Sequence, residues 1–348
     1  MRISTSLPYT KSFPAAVTEV QELERAGLDT VWVPELYTFD AISQMGYLAA
    51  VTERVRIGTG IIPIYSRTPA LIAMTAAGID MVSNGRALLG IGASGPQVVE
   101  GWHAVPYDAP LARTREIIEI CRKVWRRERL EHQGKKYQIP LGADQGTGLG
   151  KPLKLISHPV RDDIPIAVAS LTPKSVEMTA EIADGWKPVL YHPTKSDARW
   201  GDALRAGKAK RDPLRAPLEV FVGGAVGIGE GLEPMRDLSR PGLALYIGGM
   251  GARQKNFYND VFKSYGYEAE AANIQDLYLA GQKKEAAAAI PKEFLDEISL
   301  VGSPSFVKEQ LGLLRDSGVT SLNISLMGRT AAERVKTLDA LRELIAQL

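Results

Sequence analysis

The chain has 348 residues, of which 45% are hydrophobic and 24% charged, a balance typical of a folded globular protein and not of a disordered one. Its 42 Lys and Arg against 40 Asp and Glu give a net charge of +2, and no basic run with interleaved aromatic residues occurs, so nucleic acid is not an expected partner. The N-terminus lacks an apolar signal segment and no apolar run approaches the ~18 residues of a bilayer span, so we expect a cytoplasmic protein without membrane contact.

Short runs rich in Ile and Val alternate with longer segments of helical period, which indicates successive βα units and a parallel sheet. In the first part of the chain we predict four strands, each followed by a helix. The strands are expected at residues 2–7 and 30–36, from residue 56 in "RIGTGIIPIYSRTP", and at 86–92, and the helices at 13–27, 39–52, 69–85 and 110–127.

The later part of the chain continues this rhythm after an interruption. Residues 131–163 are too rich in Gly and Pro for regular elements, so we predict an insertion after the fourth helix. A long region with several helical segments separates the last two strands. The expected strands are 164–170, 185–191, 218–228 and 319–326, with helices at 173–183 and 331–348.

Eight strands in one continuous series predict a (β/α)8 TIM barrel formed by residues 1–348 as a single domain. An open doubly wound sheet is the alternative. That fold normally carries a Gly-rich dinucleotide motif after its first strand, whereas the first strand here ends in "SLPYTKSFP", without glycine.

The active site of a barrel lies at the C-terminal ends of its strands, so those ends are where we look for function. Glycines crowd three of them, in "GTGIIPIY", where Gly58 and Gly60 are unusual for a strand interior, in "GIGASG" and in "GGAVGIG". Loop geometry explains any one such glycine, but three ends at one mouth predict a planar ligand lying against exposed backbone.

Two places at these ends suit an anion. Ser170 and Thr172 precede a helix that starts at Pro173, which predicts either a phosphate site or simply an N-cap at Thr172, with equal weight. The second place is the turn "GGMG", which is followed by Arg253 and Lys255.

No catalytic triad, carboxylate pair or metal-ligand set emerges at the strand ends, and the four histidines have no ligand spacing with one another or with Cys121. The helical spacing around Cys121 indicates a buried, inert thiol. Lys187 is the one lysine near an inner strand end, and its neighbours in sequence do not suggest a lowered pKa, so an aldolase-like enzyme is a poor fit. The chemistry is therefore expected to come from a cofactor.

Several stretches resemble the bacterial luciferase-like superfamily, in the branch that uses the deazaflavin coenzyme F420. They are "GLDTVWVPE", "RIGTGIIPIYSRTPALIAMTAAGIDMVSNGRALLGIGASGPQVVEGW", "IPIAVASLTPKSVEMTAEIADGW", "IGGMGARQKNFYNDV" and "LVGSPSFVKEQLGLLRDSGV". The resemblance covers nearly the whole chain, and the second stretch is highly specific to the superfamily.

The resemblance implies that F420, or alternatively FMN, lies across the strand ends. It also implies a non-prolyl cis peptide at Gly60–Ile61 that backs the ring, and a homodimer formed through the second and third helices. In the implied cofactor site, Ser94, Gly95 and Val98 line the ring or its side chain and Ser170, Leu171 and Thr172 the phosphate; the further members are Glu35, Thr59, Gly60, Ile61, Gly249, Met250 and Arg253.

The chain departs from better-known members of the branch at two positions. Glu35-Leu36 stands where several members carry an Asp-His pair, and Gly95 stands where the glucose 6-phosphate dehydrogenase carries a glutamate. Oxidation of sugar phosphates by that mechanism is therefore not expected. The candidate catalytic residues are Glu35, Tyr65 and His192, each also explicable as a residue that lines or orients the pocket.

The resulting hypothesis is an F420-dependent oxidoreductase that moves a hydride between C5 of the deazaflavin and a small organic substrate. One alternative is an FMN-dependent monooxygenase of the same fold. A non-catalytic flavin or deazaflavin carrier is the other, because the acid and base residues of the dehydrogenases are missing.

Overall fold

The structure is a computed structural model that describes residues 1–9 and 12–348. In these residues, eight parallel strands form a ring in which the first strand pairs with the last, so the barrel is closed as predicted. In order around the ring, the strands are β1 (Arg2–Ser6), β2 (Thr30–Val33), β3 (Arg56–Thr59), β4 (Ala87–Gly92), β5 (Ile166–Ala169), β6 (Gly185–Trp186), β7 (Glu219–Val222) and β8 (Ser321–Leu326).

A layer of long helices surrounds the barrel. These helices are α1 (Phe13–Arg25), α2 (Ala41–Val51), α3 (Pro69–Val82), α4 (Pro110–Trp125), α5 (Pro173–Ile182), α6 (Ser196–Lys210), α7 (Pro304–Asp316) and α8 (Ala331–Ala346). Within residues 1–9 and 12–348, no helix has both the length and the apolar character that a membrane span requires.

The helix starts follow from local side-chain chemistry. Asp40 accepts hydrogen bonds from the backbone N–H groups of Ile42 and Ser43, both at 3.0 Å, and so caps α2. At α3 the Thr68 hydroxyl accepts from the Leu71 N–H, and Pro69 occupies the first turn.

A layer of inward-facing side chains fills the barrel below the strand ends. Trp32, Leu88, Ala167 and Phe221 form this layer, with the Trp32 and Phe221 rings perpendicular and 5.0 Å apart. Gly58 makes room for it, because a Cβ at Gly58 would lie 2.6 Å from the Trp32 indole. The protein's own core thus explains this glycine, which the sequence pattern had linked to a planar ligand.

Two predicted strands differ in the structure. The strand expected at 185–191 ends at Trp186, just before Lys187 and Pro188, because the residue before a proline is restricted and proline cannot donate to a ladder. The strand expected at 218–228 divides into β7 and a short strand, Ala225–Ile228, which pairs with the end of β8 and with Leu300–Gly302.

The stretch that follows β3 turns sharply. The peptide bond between Gly60 and Ile61 is cis, at the position that the resemblance implied. The chain then forms a two-residue strand, Ile62–Pro63, that pairs with β4. Gly60 contacts Trp32 as well, since a Cβ there would lie 2.9 Å from Trp32 Cβ.

The insertion after α4 has little regular structure beyond a small hairpin, His132–Gln133 with Gln138–Ile139. The buried Glu116 carboxylate anchors it by accepting the backbone N–H groups of Lys135, Lys136 and Tyr137. The sequence had indicated the insertion but not this anchor.

Several short elements complete the fold. The helix Pro96–Gly101 follows β4 and had not been predicted, and neither had α6. The region between β7 and α7 contains, in addition to the strands above, the helices Glu233–Ser239, Arg240–Ala244, Leu245–Gly249, Phe257–Lys263, Glu268–Leu279, Lys283–Ala288 and Lys292–Ile298.

Candidate active site

A cavity of about 1430 Å³ opens at the C-terminal ends of the barrel strands, where a barrel is expected to hold its active site. Its volume exceeds the ~300–1,000 Å³ typical of small-molecule sites, so it has room for a large planar cofactor together with a substrate. Most of the predicted cofactor residues line it: Glu35, Gly60, Ile61, Ser94, Gly95, Val98, Ser170, Leu171, Thr172, Gly249 and Met250.

Two predicted residues of strand 3 and its loop are engaged elsewhere. Thr59 is buried, and its hydroxyl bridges β3 to β4 by donating to the Gly90 carbonyl at 2.7 Å and accepting from the Gly90 N–H at 2.8 Å. Tyr65 donates to the Asp108 carbonyl at 2.8 Å, and burial raises the pKa of its hydroxyl. Neither side chain lines the cavity, so the structure does not bring them to the predicted site.

Arg253 also lies outside the cavity lining. Its guanidinium forms an ion pair with Asp276, and both side chains are more than half exposed. Its neighbour Lys255 does line the cavity, so the predicted Gly-rich turn contributes this other cation.

His192 is fully buried behind the cavity wall and hydrogen-bonds Glu297, a residue that the sequence did not predict as part of the site. Its Nδ1 accepts the backbone N–H groups of Thr194 and Lys195, so Nε2 carries the proton and donates to Glu297 at 2.7 Å. Burial lowers the pKa of His192, which favours the neutral ring. Glu297, 44% exposed, lines the cavity and also accepts from Lys195 Nζ at 3.1 Å.

The Glu297 carboxylate is therefore oriented from behind. Its burial opposes ionisation, but the hydrogen bonds from His192 and Lys195 outweigh this and hold the pKa of Glu297 below its ordinary value. No sequence signal pointed to Glu297, because it lies far from His192 in the chain and outside any barrel strand.

Glu35 lines the cavity as predicted, but its carboxylate has partners on both oxygens. Arg67 donates to them at 2.5 and 2.8 Å, and the Ala41 N–H donates at 2.9 Å. The hydrogen bond to Glu35 raises the pKa of Arg67. This arrangement favours the orienting role over the catalytic one, since donors from Arg67 and Ala41 already occupy both carboxylate oxygens.

The segment between β5 and α5 is fixed on both sides. Thr172 caps α5 in a reciprocal pair with Ser175, so the N-cap interpretation is correct, while its role toward an anion stays a prediction. Two buried indoles hold the preceding backbone from outside the barrel: Trp186 Nε1 donates to the Ser170 carbonyl at 3.0 Å and Trp200 Nε1 to the Leu171 carbonyl at 2.8 Å.

Lys187 differs most from expectation. It lies at the bottom of the cavity with its Nζ 4.0 Å from the centroid of the Trp32 ring and 5.7 Å from that of Phe221. Burial in the barrel lowers its pKa to about 7. The expectation of an ordinary pKa was wrong, because neighbours in sequence say nothing about aromatic rings supplied by β2 and β7.

The residues present fit a planar anionic cofactor. The N-terminus of α5 meets the cavity at Thr172, which suits phosphate, and the wall beside it combines apolar side chains such as Ile61 and Val98 with the exposed backbone of Gly95. Lys187 and Lys255 add positive charge. This donor set matches a flat ring that bears a negatively charged tail.

Comparisons with known proteins agree with this description. A family model described as "Luciferase-like monooxygenase" matches residues 1–321. The Mycobacterium tuberculosis protein named "Putative coenzyme F420-dependent oxidoreductase Rv3520c" is 40% identical over 325 residues, which cover 92% of each chain. The 5,10-methylenetetrahydromethanopterin reductase of Archaeoglobus fulgidus is 26% identical over 87% of this chain and 86% of its own.

Among solved structures, the coenzyme F420 dependent tetrahydromethanopterin reductase from Methanopyrus kandleri superimposes with a TM-score of 0.81. The match covers 99% of both chains at 18% sequence identity. At this identity the likeness establishes the shared barrel fold and no more.

Proposed function

Because the chain belongs to the luciferase-like monooxygenase family, we propose that it is an F420-dependent oxidoreductase that moves a hydride between C5 of the deazaflavin and a small organic substrate. The observation that carries the proposal is the relative at 40% identity, whose name specifies this cofactor and whose match spans 92% of both chains. The cavity at the strand ends supports it, since eleven of the predicted cofactor residues line that space.

In this proposal Gly60, Ile61, Gly95 and Val98 hold the ring, and the segment from Ser170 to Thr172 holds the phosphate. When bound, the cofactor supplies two-electron hydride chemistry. The protein's share is to bind, orient and exclude water.

The side chains around the cavity have distinct tasks in the proposal. The Glu35–Arg67 pair fixes the loop after β2, and His192 holds Glu297 at the cavity surface. Apolar residues that line the remaining space, among them Leu243, Tyr246 and Phe257, keep water from the reacting atoms.

Cofactor binding tests the proposal directly. Titration of the purified protein with F420 and, separately, with FMN, followed by calorimetry and by cofactor fluorescence, is expected to give saturable F420 binding and weaker or no FMN binding. Tight FMN binding without F420 binding would refute the proposal in favour of the monooxygenase that the family description names.

A second measurement distinguishes the proposed oxidoreductase from a carrier without catalytic activity. The F420-loaded protein is mixed with alcohols, enals, imines and sugar phosphates while the deazaflavin absorbance is recorded. F420 binding without any turnover across this panel would support the carrier instead.

We also propose that the protein forms a homodimer through α2 and α3. The α3 surface exposes Leu71, Met74, Met81 and Val82, and Tyr47 of the adjoining helix α2 is half exposed. Exposed apolar side chains of this kind mark an interface. A cytoplasmic location stays a prediction.

A further inference from the structure

Lys187 is a basic side chain at the bottom of the cavity, and the proposed function gives it no part in the reaction. The residue before it, Trp186, points outward and packs against Trp200, so Lys187 points into the barrel. Its Nζ lies over the face of Trp32 at 4.0 Å from the ring centroid. The side chain is partly accessible from the cavity.

No acceptor serves this amine within the described part of the chain. Two carboxylates line the cavity, and both are already paired: Glu35 with Arg67, and Glu297 with His192 and Lys195. The Trp32 indole beneath it is fully buried, and its own N–H has no hydrogen-bond partner among the described residues. The indole N–H has no accessible surface, whereas the Lys187 side chain lines the cavity, so a bound molecule can supply the acceptor atom for the amine alone.

Among residues 1–9 and 12–348, no charged group shifts the pKa of Lys187, and the rings that face its amine do not titrate. β2 presents Trp32, β7 presents Phe221, and β5 presents the Val168 carbonyl, which accepts the Lys187 backbone N–H at 3.0 Å. Burial is the sole cause of the lowered pKa, about 7, so the amine can both give and take a proton near neutral pH.

Lys187 also lies close to the proposed position of the cofactor ring. Lys187 and Gly60 both contact Trp32, the amine over its ring and Gly60 at its Cβ, and both residues line the cavity. A substrate that occupies the cavity beside the ring therefore has its reacting atoms near both.

We propose that Lys187 is a catalytic residue that hydrogen-bonds the oxygen of a ketone or aldehyde substrate and donates its ammonium proton to it. This inference rests on the proposed function. The carbonyl C=O π bond breaks, a C–H bond forms with the hydride from reduced F420, and an O–H bond forms with the proton from Nζ. The substrate is reduced by two electrons and the deazaflavin is oxidised by two. The proton that the cofactor releases on oxidation goes to solvent, and solvent reprotonates the neutral amine. In the reverse direction the neutral amine accepts the proton of the alcohol.

The surroundings favour a carbonyl over other hydride acceptors. An iminium ion is a cation and would be repelled by the Lys187 ammonium, whereas a developing alkoxide is stabilised by it. Leu171, Leu243, Tyr246 and Phe257 line the cavity, which suits a substrate with an apolar body.

The protonation of Lys187 is tested without cofactor. Competitive labelling with acetic anhydride between pH 5 and 11, read by peptide mass spectrometry, reports the titration of each lysine. Lys187 is expected to titrate near 7, well below the ~10.4 of an unperturbed lysine side chain. If Lys187 titrates at that unperturbed value, the proposal is wrong.

Activity is tested with reduced F420 and cyclohexanone, acetophenone, benzaldehyde and decanal as probes. The native enzyme is expected to reduce at least one, with a rate that falls as pH rises through about 7. Lys187→Met is expected to lower kcat by ~10²–10⁴-fold and to abolish that pH dependence while F420 still binds. Lys187→Arg keeps the charge but cannot release its proton, so it is expected to keep KM and lose kcat. Lys336→Met is the control and leaves all these values unchanged.

Three results would overturn the proposal. They are an F420-loaded native enzyme that reduces none of the four carbonyls, a Lys187→Met variant that keeps the native rate and pH profile, and a covalent adduct on Lys187 trapped with borohydride, which would indicate imine formation instead. A native protein that does not bind F420 at all refutes the proposed function, and the labelling result then still reports on Lys187 by itself.

Discussion

At the scale of single residues, Trp32 organises both the barrel interior and the cavity above it. Trp32 contacts Gly58 through its indole and Gly60 through its Cβ, and the Lys187 amine lies over its ring. The sequence marked the two glycines as unusual for a strand but could not say what they touch, because the tryptophan that requires them comes from β2.

Gly58→Ala tests this packing. The added Cβ would lie 2.6 Å from the indole, so we expect a loss of about 1–3 kcal/mol in the free energy of unfolding, measured by urea denaturation. Gly312→Ala in α7 is the matched control: nothing lies within 4 Å of its Cβ position, and we expect a gain of about 0.5–1 kcal/mol. Equal effects at the two sites would contradict this explanation.

The Lys187→Met variant is expected to change the stability of the protein as well as its catalytic rate. The pKa of Lys187 is lower in the folded than in the unfolded chain, so the unfolded chain binds more protons between about pH 7 and 10, and native stability rises with pH over that window. At pH 6 the folded protein keeps a buried charge, and its removal is expected to raise the free energy of unfolding by up to about 5 kcal/mol.

The measurement is urea denaturation of both proteins at pH 6 and pH 9.5. The gain from Lys187→Met should shrink markedly at the higher pH, whereas Lys336→Met should show no such trend. A gain that is constant with pH would mean that the amine is already neutral at pH 6 or not buried.

At the scale of elements, the N-terminus of α5 carries a cap that stabilises the helix and is also proposed to bind the cofactor phosphate. Thr172 caps this helix and lines the cavity, whereas Thr68 caps α3 in the same way and does not line it. Substitutions at the two threonines can therefore distinguish an effect on stability from an effect on cofactor binding.

Thr172→Ala and Thr68→Ala are expected to destabilise the protein alike, by about 1 kcal/mol each in thermal or urea unfolding, because each removes one cap. The Kd for F420 is expected to rise about tenfold in Thr172→Ala alone, since only that hydroxyl lies where the phosphate is proposed to bind. An unchanged Kd would remove Thr172 from the proposed phosphate site.

The barrel strands could be predicted from the sequence in number, but not all of them in extent. Alternating periodicity located all eight barrel strands, since buried parallel strands and amphipathic helices have distinct periods. It overestimated β6 and merged β7 with Ala225–Ile228, because apolar residues continue past the point where pairing changes partners. Tyr65 follows the third strand closely in sequence and Arg253 lies in the region between the last two predicted strands. Their partners Asp108 and Asp276 hold both side chains outside the cavity lining.

At the scale of the whole molecule, the apolar α2 and α3 surface has the clearest consequence. Met74→Glu places a charge at its centre, where Met74 is 52% exposed, and is expected to convert a dimer to a monomer in size-exclusion chromatography with light scattering. Leu214→Glu is the control, because Leu214 is 93% exposed outside this surface and should leave the dimer intact. A native protein that elutes as a monomer at micromolar concentration would contradict the dimer.

The closing pair of the barrel has a consequence for how the protein is made. Arg2 pairs with Ser321 and Thr5 with Ile324, so the first and last strands of the barrel pair across the length of the domain. Until β8 is synthesised, β1 has an unpaired edge that is open to other nascent chains. The edge of β1 is therefore covered only after all eight strands of the barrel have been translated.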